Sequence, residues 1–180
     1  LKNQIKHVVR ISCFGADTNC NSYDPEKHAS IDGQPIPMML QHYWHAEECL
    51  IAEGLPTTGV RGNFYMNHVL KNDLDNIREH GFFEQPAAKC KNSFVCPSDQ
   101  GEIAALCLIE GPEKHANKFY DITGPEPISH YEMADTLSEA MGKKIEYREL
   151  DPVQWEKDFG ATRAAFREYL RNGFYTRCSP

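Results

Sequence analysis

Leu40-Gln41-His42-Tyr43-Trp44-His45-Ala46-Glu47-Glu48-Cys49-Leu50-Ile51-Ala52-Glu53-Gly54-Leu55-Pro56-Thr57-Thr58-Gly59-Val60-Arg61 reads as a helix, its stop and the strand that follows. Tyr43, Ala46, Glu47, Leu50 and Ile51 fall at the i, i+3, i+4, i+7 and i+8 positions of one stripe, which predicts a helix from Leu40 to Glu53 with that stripe on a core. Gly54 supplies the left-handed cap, and Pro56 keeps the helix from resuming. Thr57 to Arg61 is short, β-branched and uncharged until its last residue, as a buried strand should be. Glu47 lies on the inward stripe, where a carboxylate is costly unless paired. Arg61 is the partner within reach of the pattern, so a structural ion pair is favoured over a catalytic base.

The same grammar extends in both directions. Upstream, His7-Val8-Val9-Arg10-Ile11-Ser12 predicts a strand ending in the turn Gly15-Ala16-Asp17, and residues 17–37 form a long polar loop. Downstream, Met66 to Arg78 predicts a helix closed by His80-Gly81, and Cys90 to Cys96 contains a short strand with Phe94-Val95 as its apolar centre. Pro97-Ser98-Asp99 caps a helix from about Gly101 to Glu110, and Phe119 to Ile122 is a strand. Ser129 and Glu132 have capping-box spacing, opening a helix with Met133, Ala134, Leu137, Ala140 and Met141 on one stripe up to Gly142. Ile145 to Glu149 is a strand. Asp151-Pro152 then opens a helix, and a last one runs from about Ala161 to Arg171. Strands alternating with helices predict an α/β fold with a largely parallel sheet. A dinucleotide-binding sheet would carry a glycine-rich turn after its first strand, and no glycines here have that spacing.

Composition narrows the function. The net charge of −7 argues against direct nucleic-acid binding, which needs clustered basic side chains. Arg163, Arg167 and Arg171 at helical spacing read as a solvated face. No run is long and apolar enough for a membrane span, and no secretory signal is visible. The seven cysteines include no CxxC pair, so they suggest a reducing, cytoplasmic setting and not a disulfide framework or zinc site. His42 and His45 stand three apart near Glu48 but gather no third ligand at a recognised spacing, and they read as packing beside Trp44.

Four segments in order carry a family resemblance: His7–Ser12 with Gly15-Ala16; Ala46–Leu50 running into Gly54–Arg61; Phe64-Tyr65-Met66-Asn67; and Tyr120–Glu126 with Ser129, Glu132 and Ala134. Together they resemble the NmrA-like family, atypical relatives of the short-chain dehydrogenases. The likeness runs from about residue 6 to 156. It implies the C-terminal part of a Rossmann-type parallel sheet with a small substrate-facing α/β region. On this alignment Leu1 lies near the fifth strand. Residues 1–180 are then expected to be an NmrA-like domain truncated at the N-terminus, with the glycine-rich nucleotide-binding half upstream, and at the C-terminus as well. NAD(P) is the cofactor implied for the full-length parent, not for this stretch alone.

The resemblance also nominates residues. Ser12 and Cys13 end the first strand beside the nicotinamide ribose, although a turn-capping serine and a buried thiol explain them equally well. Gly62, Asn63 and Phe64 pass over the nicotinamide. Asn63 could bond a carboxamide, while Phe64 could stack on a planar ring or merely anchor the next helix. Tyr65 and Asn67 would line the substrate pocket. The dehydrogenases' Tyr-x-x-x-Lys pair falls on Met39 and Tyr43, and neither fits: methionine exchanges no proton and tyrosine carries no fixed positive charge. Met39 is then a pocket residue and Tyr43 a cofactor contact. The implied functions are an NAD(P)H-dependent oxidoreductase on a small planar substrate such as a quinone, or a non-catalytic NAD(P)-sensing regulator acting through a protein partner.

Overall fold

The computed structural model describes residues 5–16, 30–31, 34–35, 38–85, 87 and 90–151. The helices expected after Asp151 and most of the loop over 17–37 lie outside these. In chain order the elements are β1 (Val8–Cys13), β2 (Ser30–Ile31), β3 (Gln34–Pro35), α1 (Met38–Ala52), β4 (Thr57–Gly62), α2 (Asn67–Asp75), β5 (Phe82–Gln85) and β6 (Lys91–Asn92). Next come α3 (Pro97–Glu110), α4 (Pro112–His115), β7 (Lys118–Ile122), β8 (Ile128–Ser129), α5 (His130–Met141) and β9 (Glu146–Glu149). They form two compact units. One holds the described residues up to Asn63 with Val95–Thr123, and the other holds the described residues of Phe64–Phe94 and those from Gly124 on.

The first unit is built on a parallel sheet of order β1-β4-β7. Val8 pairs with Thr57 and Cys13 with Gly62 on one side of β4, while Thr58 pairs with Lys118 and Gly62 with Ile122 on the other. Every residue of the central strand β4 is buried, as expected of a parallel strand covered on both faces. Alternation along β4 sends Arg61 toward α1 and Gly62 toward α3. Gly54 adopts φ +68 after α1, the predicted left-handed cap. At the amino end of the strands, Thr58 Oγ1 donates to the His115 carbonyl at 2.6 Å. His115 in turn lies between the Tyr120 hydroxyl (2.9 Å) and Glu110 (2.7 Å). That chain ties the α3–α4 corner to the sheet.

The second unit packs Ile77, Phe83, Phe94, Met133, Ala134, Ile145 and Tyr147 into one core. The Ser129 capping box is complete. Glu132 N donates to Ser129 Oγ at 3.2 Å, and Ser129 N donates to Glu132 Oε2 at 2.6 Å. Lys91 and both Ser129 donors hold the Glu132 carboxyl down at about 2. β5 runs parallel to β9, with Phe82 opposite Glu146 and Gln85 opposite Glu149. The sequence reading missed β5, because only Phe83 of its four residues is buried and no alternation can show. Three boundaries also move. The helix after Tyr65 passes from α2 into a π-helical turn, Asn76–His80, before Gly81 caps it at φ +73. α3 begins at Pro97, not Gly101. The strand around Phe94 shrinks to Lys91–Asn92, since the Ser93 carbonyl accepts instead from the Gly124 N–H.

His130 stands in this core at 5% exposure. Its ring lies 5.6 Å from Phe94, 6.2 Å from Phe83 and 5.4 Å from Tyr147, centroid to centroid. Nδ1 has no hydrogen-bond partner, and burial pushes the imidazole pKa down to about 4. The ring is therefore neutral at physiological pH.

Candidate functional site

In an open parallel sheet, ligands sit beyond the carboxyl ends of the strands. Here those ends are organised by a buried ionic network. Arg61, on β4, donates from Nη2 to Glu47 Oε2 at 2.6 Å and from Nε to Oε1 at 3.1 Å. Ser12, two residues along from Arg10 on β1, donates its hydroxyl to Glu47 Oε1 at 2.5 Å. Glu47 is 1% exposed and Arg61 5%, so the bidentate pair is held away from water, where charge-assisted bonds are strongest. The guanidinium also lies 4.6 Å over the Phe119 ring. The expected pairing of Glu47 with Arg61 is observed, and Ser12 belongs to it. Its hydroxyl is spent on Glu47 and caps no turn.

The opposite face is closed by Gln100, a residue the sequence reading did not single out. It is buried in α3, and its Nε2 donates to the carbonyls of Val60 (2.7 Å) and Ser12 (3.2 Å). One amide thus staples the ends of β1 and β4 together. A Cβ on Gly62 would stand 2.5 Å from Gln100 Oε1, so the glycine makes room for this side chain. The available signal was a glutamine seven residues before Cys107, hence on one helical face with a residue expected to be buried. Cys13 lies opposite Gly62 in register and is half-buried. Asn63 is 3% exposed, and its N–H donates to the Ile122 carbonyl at 2.9 Å. Tyr43, on α1, receives the Arg10 guanidinium over its ring at 5.7 Å. Ser12, Cys13, Gly62 and Asn63 are thus brought together at the ends of β1 and β4.

Phe64, Tyr65 and Asn67 belong to the second unit. Phe64 is half-buried in the second unit, edge-on to Phe94 at 6.4 Å and to His68 at 6.1 Å. Tyr65 is edge-on to His68 at 5.4 Å, and Asn67 is exposed on the first residue of α2. Met39 lies in the first turn of α1, one helical turn before Tyr43; its side chain is outside the described residues. Among the described residues no three His, Cys, Asp or Glu side chains converge as a metal site. No described helix is long and apolar enough to cross a membrane.

No family model matches the chain. The chain superposes on the NADPH-dependent quinone oxidoreductase QOR2 of Escherichia coli with a TM-score of 0.71 at 20% identity, covering 96% of this chain and 59% of that one. It superposes on NmrA, a negative transcriptional regulator solved in complex with NADP, with a TM-score of 0.64 at 17% identity, covering 97% and 55%. The chain has the NmrA-like fold. By sequence it is 33% identical over 94 residues to an NAD(P)H azoreductase of Xenophilus azovorans, covering 52% of this chain and 32% of the relative. It spans about a third to a little under half the length of the curated relatives it matches. In this NmrA-like fold, the carboxyl ends of β1 and β4 are the edge where a Rossmann-type sheet receives its ligand. The Ser12–Glu47–Arg61 network and the Gln100 staple fix that edge from its two faces.

Proposed function

We propose that this chain belongs to an NAD(P)H-dependent oxidoreductase that reduces a small planar substrate such as a quinone. The observation that carries the reading is the pre-set edge at β1 and β4. Ser12, Cys13, Gly62 and Asn63 converge there on a sheet whose fold is shared with a quinone reductase, and whose sequence is similar to an azoreductase. Ser12, Cys13, Tyr43, Gly62, Asn63 and Phe64 would hold the nicotinamide side of NAD(P), and Met39, Tyr65 and Asn67 would line the substrate side. When bound, the dinucleotide supplies a hydride. The residues' task is then to orient two planar rings and exclude water, which needs positioning more than proton exchange. That demand suits a site in which Met39 and Tyr43 stand at the places of a tyrosine and lysine pair.

The same replacement favours a second reading, a regulator that binds NAD(P) without turnover and reports redox state to a protein partner. In either case the phosphates need a glycine-rich loop at a helix N-terminus. The 180 residues contain no such motif, so this stretch alone is expected not to bind a dinucleotide with micromolar affinity. The deciding measurement is NADPH oxidation over a panel of quinones and azo dyes, by the protein as the cell makes it with any sequence that flanks these residues. Turnover supports the reductase; tight nucleotide binding with no turnover across the panel sinks it and leaves the regulator. The acidic balance supports a small-molecule or protein partner over nucleic acid, and a cytoplasmic location is proposed from the free thiols.

A further inference from the structure

Among the described residues, the α1 face of the sheet carries one more guanidinium than its carboxylate pairs. Glu47 is fully engaged: both of its oxygens accept from Arg61, and Oε1 also accepts from Ser12. Arg10 projects from β1 on the same face as Ser12, two residues earlier and roughly 7 Å down the strand. It is a second guanidinium with no carboxylate within ion-pair distance among the described residues. Its guanidinium lies 5.7 Å from the centre of the Tyr43 ring. Its Nε is buried with no hydrogen-bond partner. A buried donor on a permanent cation is costly when left unbonded, and an aromatic face compensates only part of that cost. An arginine fork is suited to a carboxylate or phosphate oxygen.

We propose that Arg10, braced on Tyr43, is an anion-binding residue of the site, taking a phosphate or carboxylate oxygen of the bound ligand. It supplies beside Tyr43 the fixed positive charge that Tyr43 itself lacks. The inference rests on the ligand-binding reading of this strand edge, but its test does not require turnover.

The test uses the 180-residue chain labelled with 15N-arginine, whose Arg10 Nε–H resonance is assigned by its loss in Arg10→Lys. The probes are inorganic pyrophosphate and benzoate. We expect that resonance to shift saturably with a dissociation constant of order millimolar, the strength of one charge-assisted contact. Arg10→Gln should weaken binding at least tenfold, while Arg78→Gln, an exposed arginine of the other unit, leaves it unchanged. Saturation by pyrophosphate alone assigns the contact to the dinucleotide, and by benzoate alone to an acidic substrate. Saturation by both, lost in Arg10→Gln, supports an unselective oxyanion contact. An unmoved resonance with either probe, or equal affinity in Arg10→Gln, overturns the proposal. The wild-type resonance remains decisive even where a variant folds poorly. If the anion binds at Arg10 but the cell's own protein oxidises no NADPH, the reductase reading fails and this one stands. The reverse outcome separates them equally well.

Discussion

Replacing Glu47 by leucine tests whether the network at the strand ends is an energetic unit. The substitution removes the carboxylate that Arg61 holds in a bidentate pair and the acceptor of the Ser12 hydroxyl. It leaves a guanidinium at 5% exposure with its two bonds of 2.6 and 3.1 Å gone. Orphaning one member of a buried ion pair costs about 3–5 kcal/mol, a large part of the roughly 5–15 kcal/mol that holds a domain together. The Phe119 ring 4.6 Å below the guanidinium offsets about 1 kcal/mol at most. A total near 4 kcal/mol should lower the urea midpoint by about 2 M for an m-value of about 2 kcal/mol/M.

The decisive comparison is the rescue. Glu47→Leu with Arg61→Met removes both charges and should lose only about 1–3 kcal/mol, the remaining cost being the orphaned Ser12 hydroxyl. Adding Ser12→Ala should recover most of that as well. The assay is urea unfolding followed by Trp44 fluorescence in a Trp155→Phe background, because Trp44 is buried on α1, the helix that carries Glu47. If the double variant is no more stable than Glu47→Leu, the cost arises from packing on α1, and the ionic account is refuted.

Glycine substitutions should divide by what their new methyl meets. At Gly124 it would run into the Phe94 carbonyl, a backbone group that cannot swing aside, so Gly124→Ala should cost more than about 2 kcal/mol by thermal denaturation. Gly101 in α3 has nothing within 4 Å, so Gly101→Ala should stabilise by about 0.5–1 kcal/mol. His130 predicts an acid-sensitive fold. Its folded pKa of about 4 lies below the unfolded 6.5, so the unfolded chain binds the extra proton between these values. Stability is then complete above pH 6.5 and falls by about 2 kcal/mol from pH 7.5 to pH 5, a window above the carboxylates; His130→Phe should flatten the profile. Thiol alkylation should discriminate too. The Ser98 hydroxyl and backbone lower the Cys96 pKa, while burial raises that of Cys107. Iodoacetamide at pH 7.5 should therefore label Cys96 before Cys107, as read by peptide mass spectrometry.

What could be read in the sequence follows from how local each cause is. The Gly54 cap and the Ser129–Glu132 box are decided within one or two helical turns, and the structure has both, whereas the α1 stripe holds at Glu47 but fails at Ile51, which is exposed while the off-stripe Trp44 is buried. The Glu47–Arg61 pair is longer in range but was still readable. A carboxylate on an inward stripe must find a cation, and the next strand end offered one. β5 gave no comparable sign. Its four residues hold one buried side chain, and what makes them a strand is β9, more than sixty residues later. Gln100 was missed for the same reason. Nothing adjacent to it shows that two carbonyls from β1 and β4 need a donor, and only the closed sheet creates that need.

The nominated residues divide along the same line. The likeness nominated Ser12 and Gly62, which stand at the carboxyl ends of neighbouring strands, but alignment assigns a position and cannot say what a side chain is bonded to. Ser12 turns its hydroxyl to Glu47, and Gly62 leaves its space to Gln100. A serine and a glycine that alignment nominates for ligand contact therefore act first in building the edge. The same strand carries a second polar group on the Ser12 face. Arg10 lay inside a run read only as a strand, His7–Ser12, where a single cation among β-branched residues looked incidental. In the folded unit it is the cation of that face with no carboxylate described beside it. Binding chemistry on this edge should accordingly follow Arg10 more closely than Ser12. Ser12→Ala should lower stability with little change in anion affinity, and Arg10→Gln should do the reverse. Equal loss of anion affinity in both variants would show that the hydroxyl faces the ligand after all.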